Sequence, residues 1–300
     1  MTAAPKAQKG NRRIIVIVIV LVLLAASIGL NIYYAFFREF DSYLQDTDEI
    51  YLMEAGILRN NRDFAEGEDY EFRYDFENEE YPQLTAAYGI DKIAGEGSEF
   101  EKALRLMNEF APRLTHKSNY DNHVDMNAMA LLEYSLNDRN CGINCRSKAQ
   151  ILNEMCLALR IYARKVWILP FSRYDTDCHV VNEVWDTARG KWIMLDITNN
   201  EYWVDENGTP LSVLEVRRKA ALMEFCTPVE AGDSLSDLQS LRKKHIGEFL
   251  YIIKNMACIQ YCSINTVGEG RPIVSLSPVG FDAGNSPAVS LQSCERQPAK

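Results

Sequence analysis

Apolar residues are spread unevenly along this chain of 300 residues. From Ile14 to Phe37 they form an almost unbroken run, interrupted mainly by Ser27 and Asn31. As a helix rising 1.5 Å per residue, that run is long enough to cross roughly 30 Å of hydrocarbon. Tyr43, Ile50, Met53 and Ile57 then recur at helical intervals, which predicts a helix over 41–59. Tyr70, Phe72, Tyr74 and Phe76 alternate with charged residues, the period of a strand whose aromatic face covers a neighbouring sheet or helix. Ser98 with Glu101, and Ser212 with Glu215, are capping-box signatures; they predict helices through Phe110 and to about Phe225. A shorter helix is expected from Asn127 to Tyr134, and another from about Ser234 into Lys254. Asn207 and Gly208 mark a turn, which accounts for the Asn207-Gly-Thr209 glycosylation sequon without a sugar. After Lys254 the run SINTVGEGRPIVSLSP is strand-like, and the last dozen residues have the composition of a disordered tail.

The densest pattern lies between Cys141 and Asn200. Cys145, Ala149, Leu152, Cys156 and Leu159 form one stripe of a helix that begins at Cys145. His179, Val181, Glu183 and Trp185 alternate with Val180, Asn182 and Val184, and after Gly190 the run Trp192 to Ile197 is again strand-like. A hairpin with Thr187 and Ala188 at its tip sets His179 directly across from Asp196 on one face; a bulge at Gly190 would slip that register by one. Directly opposed residues have Cβ atoms about 5 Å apart, within reach of an imidazole–carboxylate hydrogen bond.

Charge refines the picture. The formal net charge is -10 and the pI about 5.1, which argues against nucleic acid as a partner, since phosphate binding relies on clustered Lys and Arg. Lys6, Lys9, Arg12 and Arg13 precede the apolar run, and Glu39, Asp41, Asp46 and Asp48 follow it. The positive-inside tendency then places residues 1–13 in the cytosol, a single transmembrane helix over 14–37, and the rest outside. A signal peptide cleaved near Ala25 and Ser27 is the competing expectation, but the apolar run continues past that point.

Cys145, His179 and Asp196 are the residue types a thiol nucleophile, a general base and a base-orienting carboxylate require. Cys145 sits where the unpaired N–H groups and dipole of a helix start favour a thiolate. Alone, a cysteine on an apolar stripe is more often an inert core residue, and the downstream histidine and aspartate are what change that. Eight cysteines (141, 145, 156, 178, 226, 258, 262 and 294) leave two other arrangements open. Cys141 and Cys178 can bracket the stretch as a disulfide, and Cys141, Cys145, Cys178 and His179 can ligate zinc. His116 and His123, in a polar loop, are further candidates to line a cleft or simply solvated surface.

The stretch resembles the transglutaminase-like superfamily of papain-fold cysteine enzymes. The matching features are Cys145 with Ala149, the segment Ile161-Tyr-Ala-Arg164-Lys-Val166, the block HVVNEVW with His179, and KWIMLDIT with Asp196. Arg160 stands where members often have glycine, and Ile197 where a proline commonly follows the aspartate. No tryptophan precedes Cys145 to match the oxyanion-holding indole of animal transglutaminases. The resemblance implies an α+β fold with the Cys helix packed on an antiparallel sheet bearing His and Asp. It also implies Cys145 as nucleophile, His179 as base and Asp196 as its partner; with Cys145 and His179 so assigned, no metal or cofactor is expected. The expected layout is a mainly helical pre-domain over 41–140, a catalytic core over 141–226, and a C-terminal helix and strands over 227–300. The expected activity is acyl transfer on a protein, peptide or cell-wall peptide at the cell surface. The alternatives are a catalytically silent binding module of the same fold and a zinc-stabilised structural module.

Overall fold

The computed structural model describes residues 7–36, 47–172, 174–281 and 284–299. The chain divides into two compact units, residues 1–50 and 51–300. In the first, α1 (Ala7–Phe36) contains the stretch Ile14–Tyr33, long and apolar enough to cross a membrane, with its side chains exposed. Such a helix near an N-terminus suits an anchor or a signal sequence. Phe37, Glu39 and residues 41–46, including the start of the helix expected from Asp41, lie outside the described residues. The helix is present as α2 (Thr47–Asn60).

After α2 come β1 (Arg73–Tyr74), α3 (Tyr81–Tyr88), α4 (Ile90–Ala94), α5 (Glu99–Phe110) and α6 (Ala128–Asn137). The centre of the chain forms α7 (Cys145–Ala158), β2 (Ala163–Leu169), β3 (His179–Asp186), β4 (Lys191–Asp196), β5 (Glu201–Asp205) and α8 (Val213–Leu222). Then follow β6 (Cys226–Glu230), α9 (Leu238–Lys244), α10 (Ile246–Lys254), β7 (Cys258–Cys262), β8 (Ile264–Asn265), β9 (Ile273–Leu276) and α11 (Leu291–Glu295). Seven strands make one antiparallel sheet in the order β6-β5-β4-β3-β2-β7-β9, so strands drawn from residues 226–276 extend the sheet that carries the hairpin.

Alternation along the strands sends side chains to two cores. Val184, Ile193 and Leu195 face α5, α6 and α7, where Leu106, Leu131 and Leu152 are fully buried. Val181, Met194 and Trp203 face α2, α8 and α10, meeting Leu58, Val216 and Phe249. Both capping boxes form, at Ser98 with Glu101 and Ser212 with Glu215.

The hairpin register differs from the expected one. Asp186 pairs with Lys191 and Asn182 with Leu195, so the turn holds four residues, 187–190, and the pairing is displaced by two. Gly190 takes a left-handed φ of 63°, and Asp186 Oδ1 accepts from the Arg189 N–H at 2.8 Å, which together hold the longer turn. His179 is therefore diagonal to Asp196, not opposite. Because the displacement is even, both stay on one face.

Other expectations shift for tertiary reasons. Of the predicted aromatic strand only Arg73 and Tyr74 pair, parallel to β8, while Phe72 and Tyr74 pack on Tyr261, Tyr162 and Trp192 as a cover. The helix expected over 234–254 breaks at His245 into α9 and α10, and α8 stops at Leu222 because Met223 turns left-handed. The tail expected to be disordered instead includes α11, since the Cys294 carbonyl accepts from the buried Arg164 guanidinium at 2.7 Å. Arg160, the residue in glycine's place, has φ 59°, a left-handed backbone costing an L-residue about 1–2 kcal/mol. Its guanidinium lies over Phe76 and pairs with Glu77.

Candidate active site

The lead-in to α7 is pinned before the helix begins. The Ile143 N–H donates to the Thr115 carbonyl and the Lys117 N–H to the Ile143 carbonyl, both at 3.0 Å. Asn144 is the N-cap, its Oδ1 accepting from the Ser147 N–H at 3.0 Å. Half-buried Cys145 is thus the first helical residue, where backbone N–H groups lack intrahelical acceptors. Arg146 pairs with Glu269, its Nε 2.6 Å from Oε1, tying the first turn to the loop after β8.

His179 opens β3 and is only 3% exposed. Its Nε2 lies 2.7 Å from Asp196 Oδ2. Asp196 is held in turn: Oδ1 accepts from the Thr198 N–H at 2.8 Å, and Oδ2 from Asn199 Nδ2 at 3.1 Å. Cys145 is close enough to the ring to help raise its pKa, and with Nε2 committed to Asp196, Nδ1 is the ring nitrogen left to serve it. The Tyr251 ring of α10 stands edge-on, 5.6 Å between centroids, and shields the imidazole.

Burial disfavours a charged His179, but the charge and hydrogen bond of Asp196, followed by Cys145, outweigh it and raise the pKa to about 10. An imidazole near 6.5 when unfolded and about 10 when folded contributes stability that is full below pH 6.5 and lost as pH rises through 10. Glu201, paired with Asp196 across β4 and β5, is raised well above the usual carboxyl range by burial and then by the Asp196 charge.

Two of the three residues singled out from sequence meet within 2.7 Å, and the third, Cys145, is near enough to act on the ring's pKa. Reasoning from sequence missed Lys148, Glu201 and Tyr251 around them. Lys148 carried a signal, being a lysine three residues after Cys145 beside its apolar stripe. Trp167 follows Cys145 in the chain yet packs in the same apolar group, with Ala149, Val180 and Cys262. His116, bridged through its backbone to Ile143, is brought near the site: burial, then Lys148 and His179, lower its pKa. His123 instead packs against Tyr134, 4.6 Å between centroids.

All eight cysteines are free, so Cys141 and Cys178 are not bridged. Cys141, Cys145, Cys178 and His179 do not converge on a common point as a zinc site requires. Among the described residues the group that does so converge is Glu230, Asp233 and His245, and Lys244 already occupies Asp233 Oδ1 at 2.8 Å.

Residues 87–197 match the family model of the transglutaminase-like superfamily. No curated protein matches the chain. Among solved structures, a candidate cysteine protease from Cytophaga hutchinsonii is similar at 18% identity and a TM-score of 0.32, over 57% of this chain and 59% of that one. A candidate protease from Parabacteroides distasonis is similar at 15% identity and a TM-score of 0.26, over 53% of this chain and 30% of that one. The chain thus covers less than two thirds of either protein. The matched segment, with its Cys-bearing helix packed on an antiparallel sheet that presents His and Asp, is similar to the transglutaminase-like superfamily and lies within an α+β fold.

Proposed function

We propose that this chain is a membrane-anchored thiol enzyme that moves the acyl group of a carboxamide or peptide bond to water or an amine. The supporting observation is the joining of Cys145, at a helix N-terminus, to an imidazole whose Nε2 is 2.7 Å from a buried carboxylate. The Cys145 thiolate attacks the carbonyl carbon and the carbonyl π pair moves onto oxygen, where the Cys145 backbone N–H is one donor. As the carbon–nitrogen bond breaks, His179 Nδ1 gives its proton to the leaving amine, and a thioester remains. The now neutral His179 takes a proton from water or an incoming amine, whose attack on the thioester restores the thiolate. Asp196 holds the Nε2–H tautomer throughout. The substrate class is a protein, peptide or cell-wall peptide.

Iodoacetamide at pH 6 followed by intact-mass analysis and peptide mapping tests this. One adduct on Cys145 is expected, because ordinary thiols with pKa near 8.5 are then less than about 1% ionised. Cys178 is the competitor: its side chain is exposed, but the surrounding protein and then the Cys145 charge push its thiol up. First labelling at Cys178 or Cys141 would mean the nucleophile is misassigned, and labelling of every thiol only above about pH 8 would favour the silent binding module.

The same reading places the N-terminus in the cytosol and residues 41–300 outside, tethered by an uncleaved α1, on the strength of the basic residues before the apolar stretch. Protease added to intact cells should remove the domain. Protection until lysis would reverse the topology, and a mature N-terminus near Ile28 would replace the anchor with a signal peptide.

A further inference from the structure

We propose that Lys148 holds an anionic oxygen of the acyl group beside the Cys145 sulfur. This rests on Cys145 being the nucleophile. Lys148 lies one turn after Cys145 on α7, and helical side chains lean toward the N-terminus, so its stem runs back along the helix toward the thiol. The residue is only 2% exposed, yet its side chain makes no hydrogen bond and no ion pair with the described residues. Its ammonium is not among the sealed unpartnered atoms, so the tip opens to solvent while the stem is buried.

Other buried basic groups differ. Arg164 pairs with Glu183 at 2.6 Å, and Arg217 donates to the Met256 and Asn61 carbonyls at 2.8 and 2.6 Å. Lys165 is unpartnered too, but it is closed off from solvent. Burial lowers the Lys148 pKa, with Asp196 and then Cys145 pulling it back up, and His116 feels the Lys148 charge in turn. A cation without a partner on so buried a stem is costly, and here it stands near enough to Asp196 and Cys145 to feel their charges.

When the thiolate attacks, its charge moves from sulfur to the carbonyl oxygen, and His179 then gives its proton to the leaving group. Lys148 is the cation that remains. The Cys145 N–H supplies one donor to that oxygen, and no tryptophan precedes Cys145 to supply a second. The same ammonium would serve a permanent carboxylate on the substrate. The chemistry is one, an anionic oxygen next to the reacting carbon, with two sources.

Full-length Lys148→Met, whose side chain is apolar and similar in length, separates them. Three reagents are compared: neutral iodoacetamide, anionic iodoacetate, and p-nitrophenyl acetate, whose acylation of the thiol passes through an oxyanion and releases p-nitrophenolate. Loss of one oxyanion donor slows acylation about 10²–10³-fold, and iodoacetamide alkylation, which makes no oxyanion, should change far less. That outcome identifies the oxygen formed in the reaction. Unchanged acylation with about a tenfold fall in the iodoacetate to iodoacetamide ratio identifies a substrate carboxylate instead. Lys148→Arg, which keeps the charge, should recover part of either loss. Should the Met variant not fold, Lys148→Gln is read in the same way. A folded variant equal to wild type with all three reagents overturns the proposal. A wild type inert to iodoacetamide below pH 7 would bring down the nucleophile assignment itself, a separate result.

Discussion

His179→Ala is expected to move Cys145 alkylation from acid to alkaline pH. Asp196 and then Cys145 raise the pKa of the wild-type imidazole to about 10, which keeps a charged ring beside the sulfur at acid and neutral pH. Without the ring the sulfur keeps only the helix N-terminus to favour a thiolate, and at pH 6 the alkylation rate should fall by up to about 300-fold, the limit set by an ordinary thiol. Asp196→Ala acts one step further out. It removes the acceptor 2.7 Å from Nε2, frees the ring to take the wrong tautomer, and should lower acyl transfer about 10³–10⁴-fold. Glu201 beside it is a poor substitute for that charge, because burial and then the Asp196 charge raise its pKa. A His179→Ala profile that overlays the wild type would show that the ring does not govern the thiol.

The largest stability effect is expected at Glu183. Its Oε2 accepts from Arg164 Nε at 2.9 Å and from the second guanidinium nitrogen at 2.6 Å, and its Oε1 accepts from the Val213 N–H at the start of α8. Arg164 is also stacked 3.9 Å from the Trp192 ring centroid and donates to the Cys294 carbonyl. Both side chains are 1% exposed. Glu183→Gln leaves a guanidinium buried without its counter-charge, and removing one partner of such a pair costs about 3–5 kcal/mol. Urea unfolding should place the midpoint well below the wild type with an unchanged slope. The double variant Arg164→Met with Glu183→Leu should recover most of the loss, because the pair's mutual attraction largely offsets its own desolvation. A Glu183→Gln shift below about 1 kcal/mol would mean that water reaches the pair.

The elements that determine the chemistry were legible because they rest on local rules. The N-cap before Cys145 and the strand period around His179 and Asp196 act over four or five residues. Even with the register displaced by two, the parity of the strands kept the imidazole and carboxylate on one face. The companions of the site were not legible, because their nearness is set by tertiary packing. His116 comes to α7 through a bridge to Ile143, Tyr251 reaches His179 from α10, and Glu201 meets Asp196 only once β5 is paired. The tail was misjudged for the same reason: composition describes residues 291–295 but not the guanidinium waiting for the Cys294 carbonyl.

The family match stops at Ile197, but the sheet does not. A chain trimmed to residues 87–197 would keep Cys145, His179 and Asp196 while losing β5 and β6 from one side of the hairpin and β7 and β9 from the other. The backbone groups of Val166, Trp167, Ile168 and Leu169, now paired to β7, would stand bare along one apolar edge, and β4 would stand bare along the other. Uncovered edges of that kind pair with the edges of other molecules and aggregate. The strands outside the matched segment are therefore what cover the edges of the half that holds Cys145, His179 and Asp196.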